Sequence, residues 1–150
     1  MSNLMRHDFL VRELEKIDLD NGFFETLSNL SNVSDIDNLK ALQLFNKIKS
    51  NPQHKIFVAA LNNGNVIGSI TVLIEDKFIH SGGKVAHIED VVTRKGYEGS
   101  GIGGALVCKA REFASSSGCY KVILDCLENI VRFYEKCGFR KYGISMRHDL

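Results

Sequence analysis

The sequence predicts one α/β domain spanning residues 1–150, and three observations carry that expectation. β-type apolar runs alternate along the chain with apolar residues at helical spacing. Asn63-Gly64 sits between two β-rich runs, a strong short hairpin signal. "TRKGYEGSGIGGALV" (Thr93 to Val107) places glycines between a strand pattern and a helix pattern. A chain of 150 residues with 44% hydrophobic composition suits a single domain and can bury a core without staples.

The elements follow in order. "FLVREL" (Phe9 to Leu14) alternates enough for a strand. Leu19, Phe23, Leu27 and Leu30 recur at helical spacing, with Asp20 as the expected cap. Ser34 and Asp37 resemble a capping box opening a second helix. That helix carries Ile36, Leu39, Leu42, Phe45 and Ile48 on one face and stops near Asn51-Pro52. "KIFVAALNNGNVIGSITVLIE" gives the hairpin, and "KVAHIEDVV" (Lys84 to Val92) another strand. After the glycines, Ile102, Ala105, Leu106, Ala110 and Phe113 face one side of a helix that ends at Ser117-Gly118. "CYKVILD" (Cys119 to Asp125) reads as a strand buried on both faces. Asn129 to Cys137 reads as a short helix closed by Gly138, and "YGISMR" as a final strand. No repeat, linker or low-complexity segment interrupts this order.

Composition excludes several classes. A formal net charge of +1 gives no field directed at nucleic acid or a membrane surface. No apolar run approaches the roughly 20 residues of a membrane span. "MSNLMRHDFLVREL" lacks the long apolar stretch of an export signal, so a cytoplasmic protein is expected. Cys108, Cys119, Cys126 and Cys137 form no C-x-x-C pair and are expected to be reduced, mostly buried, and not metal ligands.

Gly99-x-Gly101-x-x-Gly104 fits the literal dinucleotide fingerprint, with Asp125 about 20 residues on. The context differs: polar "TRKGYE" separates strand from glycines, and only 46 residues follow Gly104 (150 minus 104). A plain tight turn explains one or two glycines poorly and four not at all. The expected reading is that consecutive N–H groups at a helix N-terminus wrap a pyrophosphate.

The hexad Glu98-Gly99-Ser100-Gly101-Ile102-Gly103, between strand and helix, resembles the acetyl-CoA loop of the GNAT superfamily of N-acetyltransferases. "CYKVILDCLENIVRFYEKCGF" (Cys119 to Phe139), "HIEDVV" (His87 to Val92) and "GFFETLSNL" (Gly22 to Leu30) are similar to the branch whose members acetylate glucosamine 6-phosphate. The likeness runs from about Phe9 to about Arg147, and the F-Y-E-K-C-G-F and H-I-E-D stretches are more specific than the glycines.

The resemblance implies a mixed, mostly antiparallel sheet flanked by helices. It implies acetyl transfer from acetyl-CoA to the amine of glucosamine 6-phosphate, leading toward UDP-N-acetylglucosamine. It implies that no metal takes part. Gly99, Ser100, Gly101, Ile102, Gly103 and Gly104 would hold the pyrophosphate, with Asn129, Tyr134, Glu135 and Lys136 also at the coenzyme. Asp90, Val91 and Val92 would line a gap between splayed strands, where the Val91 N–H polarises the thioester carbonyl. Such a donor is worth about 3 kcal/mol in acyl transfer. Tyr134 would protonate the departing thiolate, and the Asp125 carbonyl would orient the amine and help take its proton. The acceptor pocket would draw on Thr26, Lys77, Phe78, Ile79, His80, Glu89, Asp90, Tyr120, Lys121, Asp125 and Arg147. A homodimer sharing its sites is implied as well.

Two positions depart from that pattern. Glu98 stands where the family has Arg or Gln, so its carboxylate is expected to point away from the pyrophosphate while Arg94 or Lys95 supplies charge. At the C-terminus the aligned basic position carries Asp149, with Arg147 or His148 as the substitute. The residues leave open an acetyltransferase for another amine, a non-catalytic coenzyme A-binding module and a nucleotide-binding domain. Lacking a convincing acyl-accepting cysteine, apart from Cys137, the chain is expected to use direct attack in a ternary complex.

Overall fold

The computed structural model describes residues 7–150, so the N-terminal reading above falls in part on residues outside it. Five strands form one sheet in the order β1-β2-β3-β4-β5. They are β1 (Phe9–Glu13), β2 (His54–Leu61), β3 (Val66–Asp76), β4 (Lys84–Thr93) and β5 (Cys119–Ile123). The first three pairings are antiparallel and β4–β5 is parallel, so the sheet is mixed and mostly antiparallel. The helices are α1 (Phe23–Leu27), α2 (Asn38–Lys49), α3 (Ile102–Ser116) and α4 (Val131–Lys136). Among the described residues no helix is long and apolar enough to cross a membrane.

Successive strand residues point to opposite faces, and the sheet is covered on both. On one face Phe57, Ala59, Ile67, Ile70, Val72, Ala86 and Ile88 pack with Ile102, Leu106, Val107 and Ala110 of α3. On the other, Val58 and Val66 pack with Leu14 and Phe23, beside Phe45 of α2. Each fully buried aliphatic side chain contributes about 1.5–3 kcal/mol of transfer free energy. The hairpin at Asn63-Gly64 forms as expected: Gly64 has φ 85°, and the Leu61 N–H donates to the Asn65 carbonyl at 2.9 Å.

Several expectations are corrected. Asp20 caps nothing: Lys16–Asp20 is a 3-10 turn, and Gly22, at φ 93°, precedes α1. That turn is fixed by the fully buried Asp18 carboxylate, which accepts both arms of Arg12, at 2.7 and 2.8 Å, and the Glu15 N–H at 2.7 Å. The α2 cap is Asp37 alone, accepting from the Lys40 N–H at 2.7 Å; Ser34 instead bonds Asn32 within a turn. Leu39 lies on the solvent face of α2, because only Ala41 of this helix is buried.

β5 is an edge strand and only half-buried, because one of its sides has no neighbour in the sheet. Tyr142 to Arg147 joins no strand among the described residues and is exposed. The cysteines are all free, but Cys108 and Cys126 are exposed rather than buried; Cys108 falls on the outer side of α3 and Cys126 in the loop after β5.

Candidate active site

The site begins where the β4–β5 ladder ends. Pairing stops at His87↔Ile123, while β4 runs on to Thr93 and the chain after β5 leaves the sheet. β4 also carries a bulge: Ser69 faces Val92 and Thr71 faces Glu89, leaving Asp90 and Val91 without cross-strand partners in the register. Asp90 adopts φ 51°, a left-handed conformation that non-glycine residues take mainly under constraint. Bulges re-aim the strand beside functional sites. Here it turns the main chain of Asp90 and Val91 where the two strands separate.

A cavity of about 470 Å³ opens there, lined among others by Glu89, Asp125, Tyr134, Glu135, Arg140 and Tyr142. Tyr134 is 7% exposed, packed edge-on against Phe133 and Phe139 with ring centroids 4.9 and 6.0 Å away. Burial pushes its phenol above the ordinary tyrosine range, and Cys126 and Cys137 push it further in the same direction. The group therefore stays protonated at neutral pH, the form a proton donor requires. Asp125 lies beyond the end of β5, exposed, and does not cap the next turn, whose N-cap is Leu127. Glu135 shares the cavity; Asn129 and Lys136 are exposed beside it and absent from its lining.

The glycine loop forms the N-terminus of α3. Gly99 and Gly101, at φ 77° and 81°, turn the chain through conformations in which other residues are strained. Gly101 is the N-cap, with no side-chain cap bond, and the loop's N–H groups head a 15-residue helix, as an anion requires. Added side-chain atoms at Gly101 and Gly104 would meet nothing within 4 Å, whereas one at Gly103 would lie 3.1 Å from the Phe133 ring. α4 therefore leans on the loop, bringing Tyr134 and the glycines together. A cradle open at Gly101 and Gly104, at a helix N-terminus, fits a pyrophosphate.

Glu98 turns onto Gly96 and Asn29 rather than presenting a free carboxylate. Arg94 is committed to Asn65 at 3.1 Å, which leaves Lys95 as the exposed cation of this segment.

The acceptor residues do not gather as expected. Only Glu89 and Asp125 line the cavity. Thr26 is fully buried and its hydroxyl donates to the Val66 carbonyl at 2.8 Å, so no face of it opens to solvent in this chain. Lys77 pairs with Glu75 at 3.0 Å; Phe78 and Ile79 project into solvent. His80, at φ 53°, stacks on Tyr120 with centroids 4.2 Å apart. The Lys121 ammonium lies over Tyr120 at 5.8 Å and Tyr142 at 5.1 Å, and Tyr142 is its link to the cavity rim. Arg147 is exposed and bonded to Asp149 at 2.6 Å.

Sequence reasoning missed His87, Arg140 and Lys141 in the cavity wall. Lys141 is paired with Glu128 at 2.9 Å, while Arg140 adds a cation beside Asp125 and Tyr134. The signal was the basic pair directly after Gly138-Phe139, where the chain must return across the end of the sheet. Among the described residues no three His, Cys, Asp or Glu side chains gather as a metal-holding group.

Residues 10–139 match the model of the acetyltransferase (GNAT) family. The glucosamine 6-phosphate N-acetyltransferase of Candida albicans is 36% identical over 95% of this chain and 97% of its own. That of Arabidopsis thaliana is 38% identical over 95% and 97%. The crystal structure of glucosamine-6-phosphate N-acetyltransferase from Arabidopsis thaliana superposes with a TM-score of 0.92 at 35% identity, covering 95% of this chain and 99% of that one.

Proposed function

The chain belongs to the acetyltransferase (GNAT) family, and we propose that it transfers acetyl from acetyl-CoA to the amine of glucosamine 6-phosphate. One observation carries the reading: Tyr134, kept protonated by burial, lies in one cavity with Asp125 and Glu89 where β4 and β5 part, on a helix that packs Phe133 against the glycine-headed start of α3.

In this reading Gly99 to Gly104 hold the pyrophosphate, with Asn129, Glu135 and Lys136 flanking the coenzyme. The main chain at Asp90, Val91 and Val92 receives the thioester arm. The Val91 N–H donates to the thioester oxygen as negative charge builds there. The Asp125 carbonyl accepts an N–H of the acceptor and so aims its lone pair. The amine nitrogen bonds the carbonyl carbon, the carbon–sulfur bond breaks, and Tyr134 donates its proton to the sulfur. The amine's surplus proton leaves to solvent and Tyr134 is reprotonated. Direct attack is favoured because burial pushes the Cys137 thiol up, leaving little thiolate to carry an acyl group.

For the phosphate, Lys121, Lys77, Arg140 and Arg147 supply the cations, with Phe78, Ile79, His80 and Tyr120 as walls. Several of these lie outside the cavity of one chain, which supports a homodimer with shared sites. Tyr142, Ile144 and Met146 in the C-terminal tail are 74%, 91% and 92% exposed, apolar surface that a second copy could cover. The free thiols at Cys108 and Cys126 suit the reducing cytoplasm, where the product would feed UDP-N-acetylglucosamine synthesis.

The test is thiol release from acetyl-CoA with glucosamine 6-phosphate, glucosamine, spermine or a lysine peptide as acceptor. Fast release with the phosphosugar alone is expected. Equal or faster release with another amine would overturn the acceptor assignment.

A further inference from the structure

We infer that Glu98 is a positioning residue for the coenzyme loop, tying its entry to the end of α1 and so fixing the backbone from which Gly99 to Gly104 present their N–H groups. The inference rests on the reading that this loop holds coenzyme A.

The geometry is a three-way strap. One carboxylate oxygen of Glu98 accepts the Gly96 N–H at 2.7 Å. The other accepts from the Asn29 amide nitrogen at 3.2 Å. That same nitrogen donates to the main-chain carbonyl of Thr93, the last residue of β4, at 2.7 Å. One carboxylate and one amide thus join the end of β4, the turn at Gly96 and the segment after α1.

The other side of the turn is pinned separately. The Arg94 N–H donates to the Ile67 carbonyl at 2.8 Å, the Arg94 guanidinium to Asn65 at 3.1 Å, and the Tyr97 N–H to the Arg94 carbonyl at 3.0 Å. Glu98 is therefore the tie between this anchored turn and the first glycine, Gly99. Main-chain N–H groups, its own and that of Gly96, hold the carboxyl below the ordinary range, with Asn29 and Lys95 adding to the effect. The ionised acceptor is thus present at neutral pH. Because Glu98 is exposed, water replaces its bonds in part when it is removed. The effect falls on the precision of the loop more than on the stability of the fold.

The experiment measures coenzyme A affinity by calorimetry, and KM for acetyl-CoA and kcat by thiol release, for the parent, Glu98→Ala, Glu98→Gln and Asn29→Ala. Removing the strap at Glu98→Ala should weaken coenzyme A binding and raise KM about fivefold to tenfold, with kcat within about twofold. Asn29→Ala should act in the same direction. The double variant should lose no more than about twofold beyond the weaker single, since both remove one strap. Glu98→Gln keeps one acceptor oxygen but turns the other into a donor facing an N–H, so its affinity should fall between the parent and Glu98→Ala. A folded Glu98→Ala or Glu98→Gln protein with an unchanged melting temperature separates positioning from a structural role. Coenzyme A affinity in Glu98→Ala within about twofold of the parent would overturn the inference. A parent that binds no coenzyme A would overturn the loop reading, and this one with it.

Discussion

The glycine loop and the acceptor side differ in what holds them in shape. The loop is made by the main chain: positive φ at Gly99 and Gly101, the head of α3, and the Glu98–Asn29–Thr93 strap. Every part of it lies in one stretch of sequence or packs directly on it. The acceptor side is made of side chains from distant segments. Lys77 is tied to Glu75, Lys121 rests on two tyrosines, Arg147 pairs with Asp149, and the tail from Tyr142 on is exposed. In the proposed reading the coenzyme loop is built from backbone within one chain, whereas the acceptor side draws on long charged side chains that one chain leaves spread apart.

Tyr134 stands at the boundary and offers the largest effect. Tyr134→Phe should lower kcat by about 10²- to 10⁴-fold, the usual contribution of a proton donor, with little change in KM for acetyl-CoA. Because burial raises the phenol's pKa, the donor stays protonated as pH rises past about 10 and is lost only above that. The alkaline limb of kcat should therefore lie above pH about 10 in the parent and vanish in the variant. A limb near neutrality would assign the acid to another group.

On the donor side, Gly101→Ala forces a left-handed conformation on alanine at a cost of about 1–2 kcal/mol. Calorimetry should show coenzyme A bound roughly tenfold more weakly, with urea unfolding shifted in the same direction. An effect on the sugar's KM instead would break the division between the two halves.

On the acceptor side, Lys121→Ala should raise KM for glucosamine 6-phosphate about threefold to tenfold and leave activity on unphosphorylated glucosamine unchanged. Equal losses with both sugars would mean that the ammonium supports the tyrosines rather than the phosphate.

The same contrast explains what was legible in the sequence. The hairpin at Asn63-Gly64, the glycine-headed helix and the strand carrying H-I-E-D are local patterns, and each folds where its residues lie. The first helix was misjudged at Asp20 because the deciding contact is a buried Arg12–Asp18 pair between β1 and the following turn, which spacing does not reveal. β5 was expected to be buried on both faces because its residues are apolar, yet an edge strand keeps one side open in a single chain. "YGISMR" was expected to close the fold as a strand, yet it joins none of the five described strands and stays exposed. Tyr134 was singled out through its motif, and it lines the cavity. Arg140 was not, because its place in the cavity depends on how the chain turns after Gly138.

The most direct test of the division is a chain ending at Ser145, without Met146 to Leu150. Coenzyme A binding and thiol release with glucosamine 6-phosphate would be measured on the same preparation. Coenzyme A affinity should stay within about twofold of the parent while turnover with the phosphosugar falls more than about tenfold. Turnover retained at the parental level, or coenzyme A binding lost together with it, would contradict the proposed division between a coenzyme loop held within one chain and an acceptor side that needs Arg147 and the residues around it.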